Sequence, residues 1–522
     1  MERLMEWEGP NVPLLAAGTA IVAVALTVQA LRQSQDAPRY RKIEQPDTTL
    51  PVLGNLVDLV RNAENLHDWV LENTMRFEGR PWKFVVPGQG ETMVLSTPDA
   101  LEEITSTQFK SFPKGPLQNE LLGGIAADTL VTADGERWYH QRKTVVKFFS
   151  AKVLDMFVRQ SIQKNIGRTH AMMEETIKAQ QPVNLTDLFH DFTLDTFLEM
   201  GLGVDLKSIG ATEKHSLHVA MEASSHAIFQ RIGRPQWMWK LERWLNVGHE
   251  ARLKSNVDKV YAGVHEIIQQ SIEAMVHKKQ SGEDTTNQTC MSVVELFLES
   301  PQSGEDGLTQ DDFVGFILAL VFAARDTTAD TLVWLFYSLT KHPEIEKKLR
   351  DEMALELSGL SDDNSTYLTA EHLKSLVYLE AVIKETLRLY PAGALTLREA
   401  AEDTVICGDI FIRKGQQVMM PQFSVSRNKS VWGPDAAEFR PERWIDEATG
   451  KIKPVPPFKF FTFSAGPRIC VGMNLAMMEL RVVTANLLYR YRFELAGNVD
   501  GSSVAGLTLG LKDPLLVTPI AL

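Results

Sequence analysis

No charged residue interrupts the chain from Val12 to Leu31, a run rich in Ala, Val, Leu and Ile. About 20 apolar residues suffice to cross a bilayer as a helix, so the pattern predicts a transmembrane segment over 12–31 behind a luminal stretch, 1–11. Arg3 alone precedes it, whereas Arg32, Arg39, Arg41 and Lys42 follow it, which puts the bulk of the chain on the cytosolic side. Gln45 to Asn55, with Pro46, Pro51 and Gly54, reads as a stiff connector ending a basic, proline-rich hinge at 32–55. Leu66 to Phe77 is amphipathic at helical spacing. Trp82–Val86 and Thr92–Leu95 read as strands split by Pro87-Gly88-Gln89-Gly90. Phe109 to Gly124, which contains Phe112-Pro113-Lys114-Gly115-Pro116, reads as irregular. Helical spacing dominates from Val153 to Gly282, and a polar, acidic loop from Ser281 to Gly307 brackets a short apolar helix, Val293–Leu298.

Thr309 and Asp312 form a capping pair that opens the longest predicted helix, which runs to Lys341 and stops before Pro343. Its length is on the order of 50 Å, enough to cross a whole domain. Phe313 to Ala324 is apolar nearly all round and is therefore buried, yet it is too short for a second membrane span and Asp326 interrupts it. A helix from Lys374 to Tyr390 is halted by Pro391, and Thr404 to Gln416 has strand and turn character. Met473 to Arg490 is again helical, and Leu507 to Leu522 reads as a terminal hairpin. The pattern describes a mainly α chain with small β-sheets, continuous from 56 to 522.

Composition alters this picture little. Hydrophobic residues make up 44% and charged residues 23% of the chain, ordinary values for a globular protein. A net charge of −13 argues against nucleic acid as a partner. The three cysteines, Cys290, Cys407 and Cys470, contain no close pair, which excludes a disulfide scaffold and a cysteine-based zinc site and suits a reducing compartment.

The candidate chemistry is concentrated near the C-terminus, in Phe463-Ser464-Ala465-Gly466-Pro467-Arg468-Ile469-Cys470-Val471-Gly472. Gly466 and Pro467 make a tight turn, so Cys470 stands where a loop enters a helix N-terminus, with Arg468 close by. A helix dipole and a guanidinium both favour thiolate over thiol. Gly472 leaves room for a large planar group, and Phe463 can shield the sulfur. A buried, inert cysteine is the plainer reading of such a position. Further back, Ala323-Ala324-Arg325-Asp326-Thr327-Thr328 sets a carboxylate beside a hydroxyl within a buried helix, an arrangement that is costly unless used. The plain alternative is threonines bonding back to helix carbonyls. Glu385 and Arg388 touch at i and i+3, as do Trp138 and Arg142 at i and i+4, and either pair alone is an ordinary helix face.

Together these strings resemble the cytochrome P-450 superfamily of haem-thiolate monooxygenases, over a span from about Pro46 to the C-terminus. The resemblance implies the cytochrome P-450 fold, with the haem between the long central helix and the cysteine loop. Cys470 matches the axial iron ligand, whose thiolate favours O–O cleavage. Phe463, Arg468 and Gly472 match its cofactor-binding loop. Trp138, Arg142 and Arg398 match residues that hold haem propionates. Asp326 and Thr327 match the oxygen-activation pair, with Ala324 where glycine is usual. Glu385, Arg388 and Arg443 match a buried structural triad. Phe112, Ala323, Ala392 and Leu395 fall where the family lines its substrate pocket.

The wording around Phe112 and Ala324 is similar to that of fatty-acid and alkane ω-hydroxylases. The resemblance therefore implies haem b (iron protoporphyrin IX) as cofactor, a hydrophobic substrate, and an endoplasmic-reticulum membrane location. Electrons would come from NADPH through a separate NADPH–cytochrome P-450 reductase, docking near Arg142 and Lys143, with cytochrome b5 as a further partner. The rival readings are a hydroxylase of sterols or other lipids, a hydroperoxide isomerase or dehydratase, and a non-catalytic membrane-anchored haem protein. The Asp326–Thr327 pair argues against the isomerase, and the non-catalytic reading expects Thr327→Ala to have no effect.

Overall fold

The computed structural model describes residues 40–150, 153–154, 158–232, 234–280, 310–358 and 367–522. The predicted membrane segment at 12–31, the short helix Val293–Leu298 and the Thr309 cap lie outside these residues. Among the described residues no helix is long and apolar enough to cross a membrane.

Six helices frame the site: α1 (Gly135–Phe148), α2 (Leu185–Leu202), α3 (Ser216–Phe229), α4 (Gln310–Lys341), α5 (Val377–Leu389) and α6 (Met473–Arg490). The largest sheet consists of β1 (Trp82–Val86), β2 (Gly90–Val94), β3 (Thr396–Glu399) and β4 (Gln417–Met420), in the order β1-β2-β4-β3. Only the β2–β4 pairing is parallel. The architecture is helix-rich with small sheets, as the pattern predicts.

Helix α4 is the axis of the main hydrophobic core. Phe313 to Val321 and Leu332 to Phe336 are buried without a break in their apolar positions, so the helix has neighbours on every side. Helix α2 lies along it, fixed by the Thr193 hydroxyl donating to the Arg325 carbonyl at 3.0 Å. Towards its C-terminus the Trp334 indole donates to the Leu509 carbonyl at 2.7 Å and stacks on Tyr390, ring centroids 4.0 Å apart. Burying such faces, rather than helix propensity, holds helices of this length in place.

Three local expectations are corrected. Phe109 to Gly124 contains a 3-10 turn at Phe109–Ser111 and a helix at Gly115–Leu121. Pro116 stands in the first turn, where its missing N–H costs nothing, and the Asp134 carboxylate accepts from the amides of Lys114 and Gly115 at 2.9 and 3.0 Å. Phe112 is fully enclosed among Met93, Leu95, Ile104 and Ile406, away from the cavities described below. The chain's end is not one hairpin. Leu516–Ala521 pairs antiparallel with Tyr491–Leu495 and with Val183–Asn184, while Leu509–Leu511 pairs with Ser503–Ala505. The alternation in Leu516–Ala521 demands a partner, but which one is a long-range property that local spacing does not carry.

Candidate active site

The middle of α4 faces the cysteine loop across a cavity of about 290 Å³. Phe463, Arg468, Cys470 and Gly472 line it on one side, Ala324 and Thr328 on the other. A second cavity, of about 280 Å³, adjoins it and extends past Asp326 to Leu121, Phe229 and Leu507. Ala323, Thr327 and Thr396 border both. Of the expected pocket residues, Ala392 lines the first cavity and Leu395 the second.

The loop is built tightly. Ser464 takes φ 60° and ψ −170°, a conformation other residues than glycine adopt only at a cost of about 1–3 kcal/mol. Gly466 has φ 64°, and a Cβ there would lie 1.9 Å from the Thr105 carbonyl oxygen, so only glycine fits. The Cys470 amide donates to the Phe463 carbonyl at 2.9 Å and closes the loop. The sulfur thus faces the cavity at the start of α6. Burial pushes its pKa up, opposed by the Gly472 and Met473 amides and by Arg142. The cation that acts on this sulfur is therefore Arg142, which also donates to the Ile469 carbonyl at 2.9 Å. Arg468, expected in that role, instead pairs with Asp134 at 2.6 Å and lies over the Trp138 ring, 4.6 Å from its centroid.

Arg468, Arg398 and Lys114 form a cationic cluster around the one carboxylate of Asp134 that acts on all three. Burial first, then mutual repulsion, lowers Arg398 to about 9. Burial also lowers Arg468 to about 10 and Lys114 well below the usual lysine range. The Nε atoms of Arg398 and Arg468 are buried without a hydrogen-bond partner. Three buried cations sharing one carboxylate are costly, and this surplus fits a ligand bearing more than one carboxylate. Among the described residues no group of His, Cys, Asp and Glu side chains could hold a metal by itself.

On the α4 side, the Thr327 hydroxyl donates to the Ala323 carbonyl at 2.7 Å, the back-bond to a helix carbonyl that the plainer reading expects, and Thr327 borders both cavities. Asp326 is buried and accepts from Arg325, and burial pushes its carboxyl up. With Ala324 in place of the usual glycine, α4 remains one unbroken helix.

Behind the cysteine loop, α5 brings Glu385 and Arg388 together, both with fully buried side chains. Two Arg388 nitrogens donate to Glu385 at 2.8 Å each, and Arg443 donates at 3.0 Å. The Trp444 indole adds a fourth side-chain bond at 2.9 Å, which sequence reasoning did not assign. Arg388 also donates to the carbonyls of Ala436 and Glu438 at 2.6 and 3.0 Å, so the triad welds α5 to the segment before the loop.

Several groups were not found from the sequence. His67 lines the second cavity, is held neutral by burial with a pKa of about 4, and has an unpartnered Nε2. Cys407 is pushed up to about 11 by burial and by Glu103, which keeps it an unreactive thiol. Glu479 on α6 borders the first cavity, and burial alone pushes its carboxyl up to about 8. A raised folded-state pKa means stability that is full below the ordinary carboxylate range and falls as pH rises towards 8. Glu479→Gln is therefore expected to be more stable than the parent by roughly 3 kcal/mol at neutral pH, with the gap closing on acidification. Thermal midpoints of both proteins across that pH range test this; parallel curves would refute it.

The Cytochrome P450 family model matches residues 45–514. Similar curated proteins include cytochrome P450 86B1 of Arabidopsis thaliana, 29% identical over 96% of this chain and 88% of its own length. Cytochrome P450 704C1 of Pinus taeda is also 29% identical, over 90% of this chain and 92% of its own. Alkane hydroxylase MAH1 of Arabidopsis thaliana is 26% identical over 90% and 92%.

Proposed function

The chain belongs to the cytochrome P450 family of haem-dependent monooxygenases, and on that premise we propose that it hydroxylates long unbranched lipids, fatty acids above all, at or near the ω end. The observation that carries this reading is the second cavity. It is modest in volume, walled mainly by side chains such as Leu121, Ile125, Phe229 and Leu507, and meets the first cavity at Thr327. Such a space suits one extended apolar chain better than a rigid fused-ring sterol. Similarity to a protein named as an alkane hydroxylase supports the same substrate class.

Haem b is the family's cofactor and fits the first cavity. Cys470 would ligate its iron, Phe463 and Gly472 would lie against it, and Arg398, Arg468 and Lys114 would receive its carboxylates. When bound, it supplies the redox chemistry that activates dioxygen. The balance is one substrate C–H, O2, NADPH and a proton giving alcohol, water and NADP⁺. The protein's own work is to bind the chain with its end at Thr327, to exclude water along the apolar wall, and to hold and move protons at Asp326 and Thr327.

In this reading the electrons come from a membrane-bound NADPH–cytochrome P-450 reductase, with cytochrome b5 as an accessory donor, and the protein sits in the endoplasmic-reticulum membrane. Besides the apolar run at 12–31, the helix Gln236–Leu245 supports a membrane location: Trp237 and Trp244 are 62% and 79% exposed, beside exposed Leu241 and Leu245.

Titration of the purified haem protein with straight-chain acids, alkanes and a sterol, read as a change in the haem absorption, tests the substrate class. Straight-chain ligands are expected to bind at least about tenfold more tightly, which corresponds to about 1.4 kcal/mol. Tighter binding of the sterol would overturn the proposal in favour of the sterol reading.

A further inference from the structure

Asp326 is buried against α2 and α3, and those helices bring two histidines to it. The His190 Nδ1 lies 2.9 Å from the Thr186 carbonyl, to which it must donate, so in the neutral ring Nε2 carries a bare lone pair. That Nε2 stands 3.5 Å from Asp330 Oδ1 and 4.0 Å from Asp326 Oδ1, facing two carboxylates one turn apart on α4. Outward from it, the His218 ring lies with its centroid 6.0 Å from that of His190. His218 Nδ1 is 2.8 Å from Asp191 Oδ1, and its Nε2 is 4.0 Å from Glu222 Oε2. The His218 side chain is 2% exposed and that of Glu222 is 68% exposed. A line of proton-binding groups thus runs from solvent to the active-site acid through the α2–α3 face, without passing through the substrate cavity.

We propose that His190 and His218 carry protons from Glu222 at the surface to Asp326. Each group takes one proton and gives one up; His218 is left in its other tautomer by the transfer and is reset by turning its ring before the next. His218 accepts at Nε2 from the Glu222 side and releases from Nδ1 to Asp191. A water between the two rings, whose centroids are 6.0 Å apart, would hand the proton from Asp191 to His190 Nε2, which becomes briefly cationic and returns to neutral by protonating ionised Asp326. His190 needs no ring flip, because Nε2 both receives and donates while Nδ1–H remains on Thr186. Burial first, and then Arg325 in contact with Asp326, opposes a lasting positive charge on His190, which favours passage over storage. These two histidines act through Asp326 and touch neither substrate nor cofactor.

The inference rests on Asp326 as the active-site acid but not on which lipid is oxidised. Infrared spectroscopy of the resting haem protein transferred to D2O reads it without turnover. At a pH acidic enough for Asp326 to carry its proton, the carboxyl C=O band of Asp326, assigned by its loss in Asp326→Asn, is followed as that proton exchanges. His190→Gln and His218→Gln are expected to slow this exchange at least about tenfold, and Glu222→Gln to slow it by a smaller factor. In turnover with reductase and NADPH, the histidine variants are expected to show a larger solvent deuterium isotope effect and a greater share of hydrogen peroxide. Exchange as fast as in the parent, in variants that retain the thiolate–haem spectrum, would overturn the proposal. If His190→Gln does not fold, His218→Gln and Glu222→Gln, the latter at a 68% exposed side chain, decide the matter by the same rates. A structural role alone would lower stability without changing the exchange rate of the folded protein.

Discussion

Cys470→Ala is expected to abolish hydroxylation and the thiolate–haem carbon monoxide spectrum together, while the polypeptide still folds. The loop geometry does not depend on the sulfur. It is fixed by the Gly466 turn against Thr105, the Cys470 amide on the Phe463 carbonyl and the Arg142 bond to Ile469. No cluster of other ligating side chains among the described residues stands ready to replace the thiolate. Thiolate ligation is what pushes electron density towards iron and favours O–O cleavage, so bound haem without it lacks the family's reactivity. Absorption spectroscopy of the reduced variant under carbon monoxide, beside a product assay, checks both parts. Retention of the thiolate signature would remove Cys470 from its assigned place.

Glu385→Gln is expected to destabilise the protein by about 3–5 kcal/mol, because it strips the shared partner from two buried guanidiniums. Glu385 and Arg388 are both wholly enclosed, and Arg443 is 6% exposed, so water cannot take the carboxylate's place. The amide can accept only part of what the carboxylate accepts now: two bonds from Arg388, one each from Arg443 and Trp444, and one from the Arg440 amide at 2.8 Å. The segment held by this knot leads into the cysteine loop, so a lower yield of haem-loaded protein and a lower thermal midpoint are expected together. A midpoint within about 0.5 kcal/mol of the parent, the usual range for inconsequential surface changes, would contradict the role.

The parts of the site legible in the sequence are those in which the chemistry lies within a few residues. The cysteine loop, the acid–hydroxyl pair on α4 and the i, i+3 pair on α5 are local strings, and the apolar run from Phe313 identified α4 as buried. What escaped is chemistry made by burial between distant segments. Nothing around Glu479 announces that its carboxyl is driven to about 8, since the cause is the packing of α6. His190 and His218 look like ordinary helix positions until α2 and α3 are set against Asp326. Lys114 was visible inside Phe112-Pro113-Lys114-Gly115-Pro116, but the pattern pointed to Phe112. The structure turns Phe112 into a packed core and Lys114 towards the cavity. Arg142 and Arg468 were both recognised as cations near the site; which of them acts on the sulfur depends on the position of Asp134, which draws Arg468 away.

The proposed reaction places one atom of dioxygen at the far end of an unbranched lipid. The direct measurement incubates the purified haem protein with NADPH–cytochrome P-450 reductase, NADPH, isotopically heavy dioxygen and a panel of medium- and long-chain fatty acids, and locates the label by mass spectrometry. One heavy oxygen atom is expected on the terminal or a near-terminal carbon, formed only when NADPH is present. Absence of labelled product, from protein that shows the thiolate–haem spectrum and accepts electrons from the reductase, would contradict it.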